Sequence, residues 1–323
     1  MPADPSEPLW VVSAYFNPTR STNRLANFRT FRRHLRAPLL VVELAAPGMQ
    51  ELRPCDAEML VSMTGEPFLW QKERLINLAI ARLPSHVRFV AWVDCDLIFQ
   101  RPDWPQLART ELERDAGLVQ LFREAVHLPQ QAEPFPKFAD LARISPLMRE
   151  PSLGNFARVG RGAAALRECY DPASRRAHGR TAATGMAVAA RRDSLADGGL
   201  YDGAIIGGGD AILMCAALDL LGEEFINRQV NAFEFECIRD WAMRAKQAGL
   251  LSPLRDIDQC VYHLWHGAFE DRQYGRRHRV TAELEFDPRR HITLASNGTW
   301  QWAKGQDALA QGVRDYFLAR LEG

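Results

Sequence analysis

Phe89-Val90-Ala91-Trp92-Val93-Asp94-Cys95-Asp96 is the stretch on which the fold turns. Five apolar residues, rich in Val and aromatics, have the length of a buried strand and stop at two carboxylates one residue apart. In an extended backbone, residues i and i+2 project from one face, so Asp94 and Asp96 reach a common cation. Carboxylate oxygens suit Mg2+ or Mn2+, hard ions that keep positions open for water or phosphate. The competing reading is an ordinary strand-ending turn, which Asp also favours.

Working towards the N-terminus, residues 68–83 carry a helical stripe of Leu69, Ile76, Ala79, Ile80 and Leu83, stopped by Pro84. Strands are expected at 58–63, 39–44 and 9–16, the last ended by Asn17-Pro18 and followed by an Arg-rich helical segment, 20–35. Strands alternating with helices argue for an α/β fold with a mostly parallel central sheet covered on both faces. An acidic strand end then lies at the edge where such sheets bind ligands.

Towards the C-terminus, 117–122 and 261–265 read as strands, 182–190 is small and apolar, and 212–221 is helical. Residues 127–151, rich in Pro, Gln and Glu, read as an excursion or mobile lid, and the basic stretch 174–180 breaks regular pattern. The tail from Phe286, with Trp300, Trp302, Tyr316 and Phe317, is expected to pack back. This gives a domain over 1–285 and an extension over 286–323.

The chain has 323 residues, with 40 basic and 40 acidic, so no global field favours nucleic acid or an anionic membrane. Its six cysteines show neither CxxC pairing nor zinc spacing, which fits reduced thiols in a cytosolic protein. The first residues lack the pattern of a signal peptide, and no apolar run reaches bilayer length. A cytoplasmic protein is expected; association with a membrane surface would need a partner or a surface helix.

Three further clusters carry chemistry. His263-Leu264-Trp265-His266-Gly267 offers imidazoles to complete a coordination sphere. Strand alternation puts the two rings on opposite faces, so one ligand is expected, His266 ahead of His263; the alternative is a core histidine and a surface one. Gly207-Gly208-Gly209-Asp210 opens a helix, where Asp210 is either an N-cap or a general base. In Trp70-Gln71-Lys72-Glu73-Arg74, Lys72 or Arg74 balances phosphate charge, with Asn77 on the same face, unless this is a solvated helical surface.

In order and spacing these segments resemble GT-A glycosyltransferases, in particular the β-1,4-galactosyltransferase and polypeptide N-acetylgalactosaminyltransferase group. Trp-Gln-Lys-Glu-Arg-Leu-Ile-Asn is similar to that group's donor helix, and Asp94-Cys95-Asp96 to its metal motif. Thr184-Gly185-Met186 followed by Gly208-Gly209-Asp210 is similar to its glycine strand and Trp-Gly-Gly-Glu-Asp segment. Tyr15-Phe16-Asn17-Pro18 and the His-Leu-Trp-His-Gly run also look like a set of glycosyltransferase-like proteins without a named substrate.

The resemblance implies a GT-A fold and inverting transfer of a hexosyl unit, most simply from a UDP-sugar, to a hydroxyl on a glycan, a lipid-linked molecule or a small molecule. It implies Mn2+ or Mg2+ on Asp94, Asp96 and His266 or His263, and Asp210 as base. Donor contacts would come from Tyr15, Asn17, Lys72, Arg74, Asn77, Asp94, Gly185, Gly208 and Gly209. Two positions depart from the pattern: Gly209 stands where the group has an acidic residue, and Ile206 where it has Trp. The alternatives are a sugar nucleotidyltransferase, whose glycine-rich signature is missing from Asn17-Pro18-Thr19-Arg20, and a non-catalytic nucleotide-sugar or glycan-binding protein.

Overall fold

The computed structural model describes residues 8–130, 138–171, 182–222, 230–268 and 277–320. The strand that opens the sequence argument is β4, Phe89–Val93, buried along its whole length. It lies near the middle of a seven-stranded sheet with β1 (Trp10–Phe16), β2 (Leu39–Ala45), β3 (Met59–Thr64), β6 (Leu118–Gln120), β9 (Ala187–Arg191) and β10 (Leu254–Asp256), in the order β10-β6-β9-β4-β1-β2-β3. All neighbours pair in parallel except β9, which is antiparallel to both β4 and β6. The fold is therefore α/β around a large, mostly parallel sheet.

Alternation along the central strands explains why both faces must be covered. Val12, Leu40, Val42, Val90 and Trp92 face one apolar layer, closed by α2 (Lys72–Arg82), α7 (Gly209–Ala217) and α8 (Ala232–Gln247). Val11, Leu39, Val41, Phe89 and Ala91 face the other, closed by α1 (Thr22–His34) and α3 (Trp104–Arg114). Burying a Leu, Val or Phe side chain is worth roughly 1.5–3 kcal/mol, and β4 gains such terms on both of its faces.

A second sheet, in the order β5-β11-β7-β8, stands beside the first and supplies half of the site. It comprises β5 (Leu97–Phe99), β7 (Glu124–His127), β8 (Met148–Pro151) and β11 (Cys260–His263). This corrects the reading of 127–151 as a lid: both of its ends belong to paired strands, and His127 and Glu150 are buried. The helices α4 (Phe138–Leu141), α5 (Leu153–Arg158) and α6 (Gly162–Tyr170) lie within or follow that segment. Residues 131–137 and the stretch 174–180 lie outside the described residues.

Helix α2 begins at Lys72 rather than at 68, because the preceding residues are engaged elsewhere. Trp70 N–H donates to the Ile205 carbonyl, and the Gln71 amide accepts from Trp300 N–H at 2.6 Å while donating to its carbonyl at 3.1 Å. Trp300 lies on β13 (Trp300–Trp302), hairpin partner of β12 (Ile292–Leu294), so Gln71 ties the tail to the helix that carries Lys72. Phe286, Ile292, Tyr316 and Phe317 pack with Leu69, Ile205 and Ile206. The helices α9 (Arg277–Glu283), α10 (Pro288–His291) and α11 (Asp307–Leu318) complete this region. Among the described residues no helix is long and apolar enough to cross a membrane.

Candidate metal and donor site

Strand β4 ends at Val93, and Asp94-Cys95-Asp96 is not extended: Cys95 and Asp96 form a turn into β5. The i, i+2 argument therefore loses its premise, and the two carboxylates enter different surroundings. Asp94 is fixed by its N–H, which donates to the Met186 carbonyl at 2.7 Å, and Asp96 by its carbonyl, which accepts from Leu264 N–H at 2.9 Å. One tether leads to β9 in the main sheet and the other to the end of β11 in the small sheet.

Around Asp94 the dominant partner is Lys72, whose Nζ lies 2.7 Å from Asp94 Oδ1 and 2.8 Å from Asp210 Oδ2. Burial alone would lower the lysine's pKa, but Asp210 and Asp94 carry it well above its ordinary value, so Lys72 is a permanent cation. Burial raises Asp94, while Lys72 and, more weakly, Arg24 oppose that shift. Asp210 sits in the first turn of α7, but the side chain makes no capping bond; Gly208, at φ 103, is the N-cap. The carboxylate turns to Lys72 instead, which removes the N-cap reading.

Two glycines make this approach possible. A Cβ on Gly185 would overlap the Asp210 carboxylate, and one on Gly209 would overlap the carboxylate of Glu73. Glu73 is buried beside the ion-pair trio, and desolvation lifts its pKa to about 7 against the pull of Lys72. The space beside Gly209 is thus filled by a carboxylate from α2. Next to Gly185, Met186 adopts φ 74, a region costly for a residue with a side chain, and Ala187 N–H reaches back to the Gly185 carbonyl.

Around Asp96 the partners are imidazoles. His266 Nε2 lies 3.3 Å and His263 Nε2 3.7 Å from Asp96 Oδ2, and one ligand atom from each of the three residues falls within 4.8 Å of the others. The rings do not sit on opposite faces as alternation suggested. β11 stops at His263, and the chain bends back through Leu264 and Trp265, whose carbonyl accepts from Asn27 of α1 at 2.9 Å. Both histidines therefore converge on Asp96, while Asp94 is not part of the group. One carboxylate and two nitrogens fit a divalent transition ion such as Mn2+ better than Mg2+, which prefers an all-oxygen octahedron.

The remaining candidates divide. Tyr15 and Asn17, at the end of β1, both donate to Glu51 Oε2, at 2.7 and 2.8 Å, and burial with Glu51 raises the Tyr15 phenol. Arg74 and Asn77 are not presented to the site but engaged in holding α2 to its neighbours. Arg74 donates to the Gly298 carbonyl at 2.6 Å and to Asp202 at 3.2 Å; Asn77 donates to the Leu200 carbonyl and accepts from its N–H, both at 2.9 Å. Residues missed by the sequence reading are Glu51, Glu73, His127 and Glu150. Glu73 lay inside a quoted motif, and apolar Ala125 and Val126 between Glu124 and His127 were the available sign of a strand.

No protein-family model matches this sequence, and no curated protein matches it. Among solved structures the chain overlaps S. aureus TarS residues 1–349 with a TM-score of 0.41 at 11% identity, covering 97% of this chain and 71% of that one. The same TarS fragment in complex with UDP-GlcNAc overlaps with a TM-score of 0.39 at 11% identity, over 97% and 72% of the two chains. Glucosyl-3-phosphoglycerate synthase from Mycobacterium tuberculosis, in complex with Mn2+, UDP and phosphoglyceric acid, overlaps with a TM-score of 0.40 at 14% identity, over 92% and 87%. The β-1,4-galactosyltransferase and polypeptide N-acetylgalactosaminyltransferase group does not figure among these structures.

Proposed function

We propose that the protein is a metal-dependent glycosyltransferase that moves a hexosyl unit from a nucleotide diphosphate sugar, most simply a UDP-sugar, to an acceptor hydroxyl with inversion. The observation that carries this reading is the adjacency of two unlike groups in one tripeptide: a carboxylate with two imidazoles at Asp96, and a lysine between two carboxylates at Asp94. Asp96, His263 and His266 would hold the ion, Mn2+ in preference to Mg2+. When bound, it supplies positive charge where the leaving diphosphate becomes more negative.

Lys72 contributes a second, permanent positive charge to the same diphosphate. Tyr15, on β1 next to β4, and Asn17 just beyond that strand would contact the nucleotide end of the donor, and Gly185, Gly208 and Gly209 would lie behind the sugar. Asp210 accepts the acceptor's hydroxyl proton as the new C–O bond forms at the anomeric carbon and the bond to the diphosphate breaks on the opposite face. A base must be free to take a proton, so Lys72 is expected to shift from Asp210 towards the diphosphate as the donor enters.

A thermal-shift screen of nucleotide-sugars with and without MnCl2, followed by a transfer assay on the stabilising donor, tests the reading. Metal-dependent stabilisation by one donor is expected, and the product anomer should be inverted. Asp210→Asn should cut turnover at least ~100-fold while donor binding persists. Equal loss of both would make Asp210 structural, pyrophosphate released from a nucleoside triphosphate would point to nucleotidyl transfer, and no response to any donor would end the proposal.

A further inference from the structure

At the end of β4 opposite to Asp94 lies a cleft of about 720 Å³ that the proposed transfer does not use. Strand register builds it. Phe89 opens β4 and pairs with Arg191, the last residue of antiparallel β9, and the next residue, Arg192, donates its N–H to the Arg88 carbonyl at 2.7 Å. Ile80 of α2, Val87, Phe89 and Leu195 give the cleft a buried apolar lining. Around that lining stand four arginines, Arg74, Arg88, Arg191 and Arg192, and two aspartates, Asp193 and Asp202. A concavity of this size, apolar with a few charged groups, is the usual form of a small-molecule site.

The four arginines are not equivalent. Arg74 is matched by Asp202 at 3.2 Å. Arg192 donates to the carbonyls of Ile80, Leu83 and Pro84 at the end of α2, at 3.1, 3.0 and 2.6 Å. Arg191 donates to those of Leu112 and Ala116 at the end of α3, at 2.8 and 2.9 Å. Carbonyls at helix C-termini hold both guanidinium groups in place but offset only about half a unit charge each. Among the described residues Arg191 donates through Nη1 alone, so its Nε and Nη2 edge, which meets two oxygens side by side, is left for a ligand. Arg88 is exposed and has no carboxylate partner among the described residues; its guanidinium lies 5.4 Å from the centroid of the Phe89 ring. With Asp202 given to Arg74, three arginines face one exposed aspartate, Asp193, whose carboxylate accepts from Ser194 N–H at 2.9 Å.

We propose that this cleft binds a small organic phosphate, with the phosphate on Arg88 and Arg191 and the carbon body over Val87, Phe89 and Leu195. Planar guanidinium forks match phosphate oxygens two at a time, and Arg191 is already anchored, so little side-chain freedom is lost on binding. The apolar lining favours an organic ester over the inorganic ion, because covering carbon adds to the attraction of charge. Neither Lys72, Asp94 and Asp210 nor Asp96 and its histidines line the cleft. Arg74 and Asn77, which spacing alone would assign to the donor, border it instead.

Isothermal titration calorimetry of the full chain with phenyl phosphate tests this. A dissociation constant of ~1 mM or below is expected, weakening as NaCl is raised. Inorganic phosphate should bind about tenfold more weakly, because it leaves the apolar lining in water. Arg88→Gln removes a charge engaged with no carboxylate and should weaken phenyl phosphate about tenfold, the scale of one charged hydrogen bond. Ala81→Trp, at an exposed position of α2 on the cleft wall, should abolish binding by filling the space. Both variants change exposed side chains, so their circular dichroism should match that of the parent.

Affinity unchanged in either variant overturns the proposal, as does equal affinity for inorganic phosphate or no binding of phenyl phosphate at all. Lys72→Met separates the cleft from the candidate donor site: affinity should persist in that variant, and its loss in the folded protein would move the anion to Lys72 and end the proposal. None of these readouts depends on a nucleotide-sugar binding or turning over, so the cleft and the transfer reading fail separately.

Discussion

Asp94 and Asp96 are two residues apart and have opposite electrostatic environments. Asp94 is neutralised within the protein by Lys72, which also holds Asp210. Asp96 faces two imidazoles, and the three residues each offer one ligand atom within 4.8 Å of the others. The first group is two carboxylates on one lysine and the second a carboxylate with two imidazoles, so the same side chain meets a cation in one place and candidate metal ligands in the other. The difference comes from the turn at Cys95, which sends one carboxylate towards α2 and α7 and the other towards β11.

The comparison breaks most visibly at Lys72. Lys72→Met leaves Asp94 and Asp210 facing each other without a cation, and loss of one partner from a buried pair costs about 3–5 kcal/mol. Because each aspartate side chain is about 30% exposed, the lower end, about 3 kcal/mol, is expected in urea unfolding. Asp96→Asn in metal-free protein should cost less, about 1 kcal/mol, since the amide keeps the side chain's shape beside His263 and His266. Equal losses from the two variants would erase the distinction.

Metal addition sharpens the other half. Mn2+ at a hundredfold excess over its dissociation constant should stabilise the protein by about 2.7 kcal/mol, reversibly with EDTA. Differential scanning calorimetry should show that shift retained in Asp94→Asn and abolished in Asp96→Asn or His266→Ala. Loss of the shift in Asp94→Asn would restore the shared-cation arrangement expected of an extended Asp-x-Asp.

A smaller effect tests the close approach around Asp210. Gly185→Ala places a methyl group where the Asp210 carboxylate lies, and such overpacking costs typically 1–3 kcal/mol. About 2 kcal/mol is expected in chemical denaturation, together with loss of donor response. A variant as stable and active as the parent would show that Asp210 does not depend on that space.

Glu234 provides a carboxylate outside both groups for reference. It is buried on α8, and desolvation raises its pKa to about 8, with only a bond from Thr281 opposing. Its folded pKa exceeds the unfolded value, so the folded state holds the extra proton between about pH 4.5 and 8. Stability is full below that window, falls by about 1.4 kcal/mol per pH unit as pH rises through it, and levels off above it. The pH dependence of urea unfolding should lose this component in Glu234→Gln; an unchanged profile would assign it elsewhere.

Much of the fold was legible because it rests on local patterns. β4 could be read from five apolar residues and their abrupt end, and the alternation of strands with helices implied both the parallel sheet and its covering layers. The ends of elements were harder, as at Trp70 and Gln71: the Trp70 N–H serves Ile205 and the Gln71 side chain serves Trp300. The segment 127–151 was misread because its Pro and Gln residues obscured the end of β7 and the short edge strand β8, and Glu150 and His127 were lost with it. Arg74 and Asn77 looked like phosphate contacts from spacing alone, since nothing local announces a hydrogen bond to Gly298 or Leu200.

Sequence by itself determined which chemistry is available: two acidic side chains at a strand end, a lysine opening a helix, a pair of histidines after a strand, and glycines before Asp210. Only the tertiary structure decided how these are distributed, giving Lys72 to Asp94 and Asp210, and both histidines to Asp96. The physical reason is that strand and helix periodicity is set by nearest neighbours along the chain. The direction of a side chain beyond a strand's last residue depends instead on which distant backbone groups, here Met186 and Leu264, hold the turn.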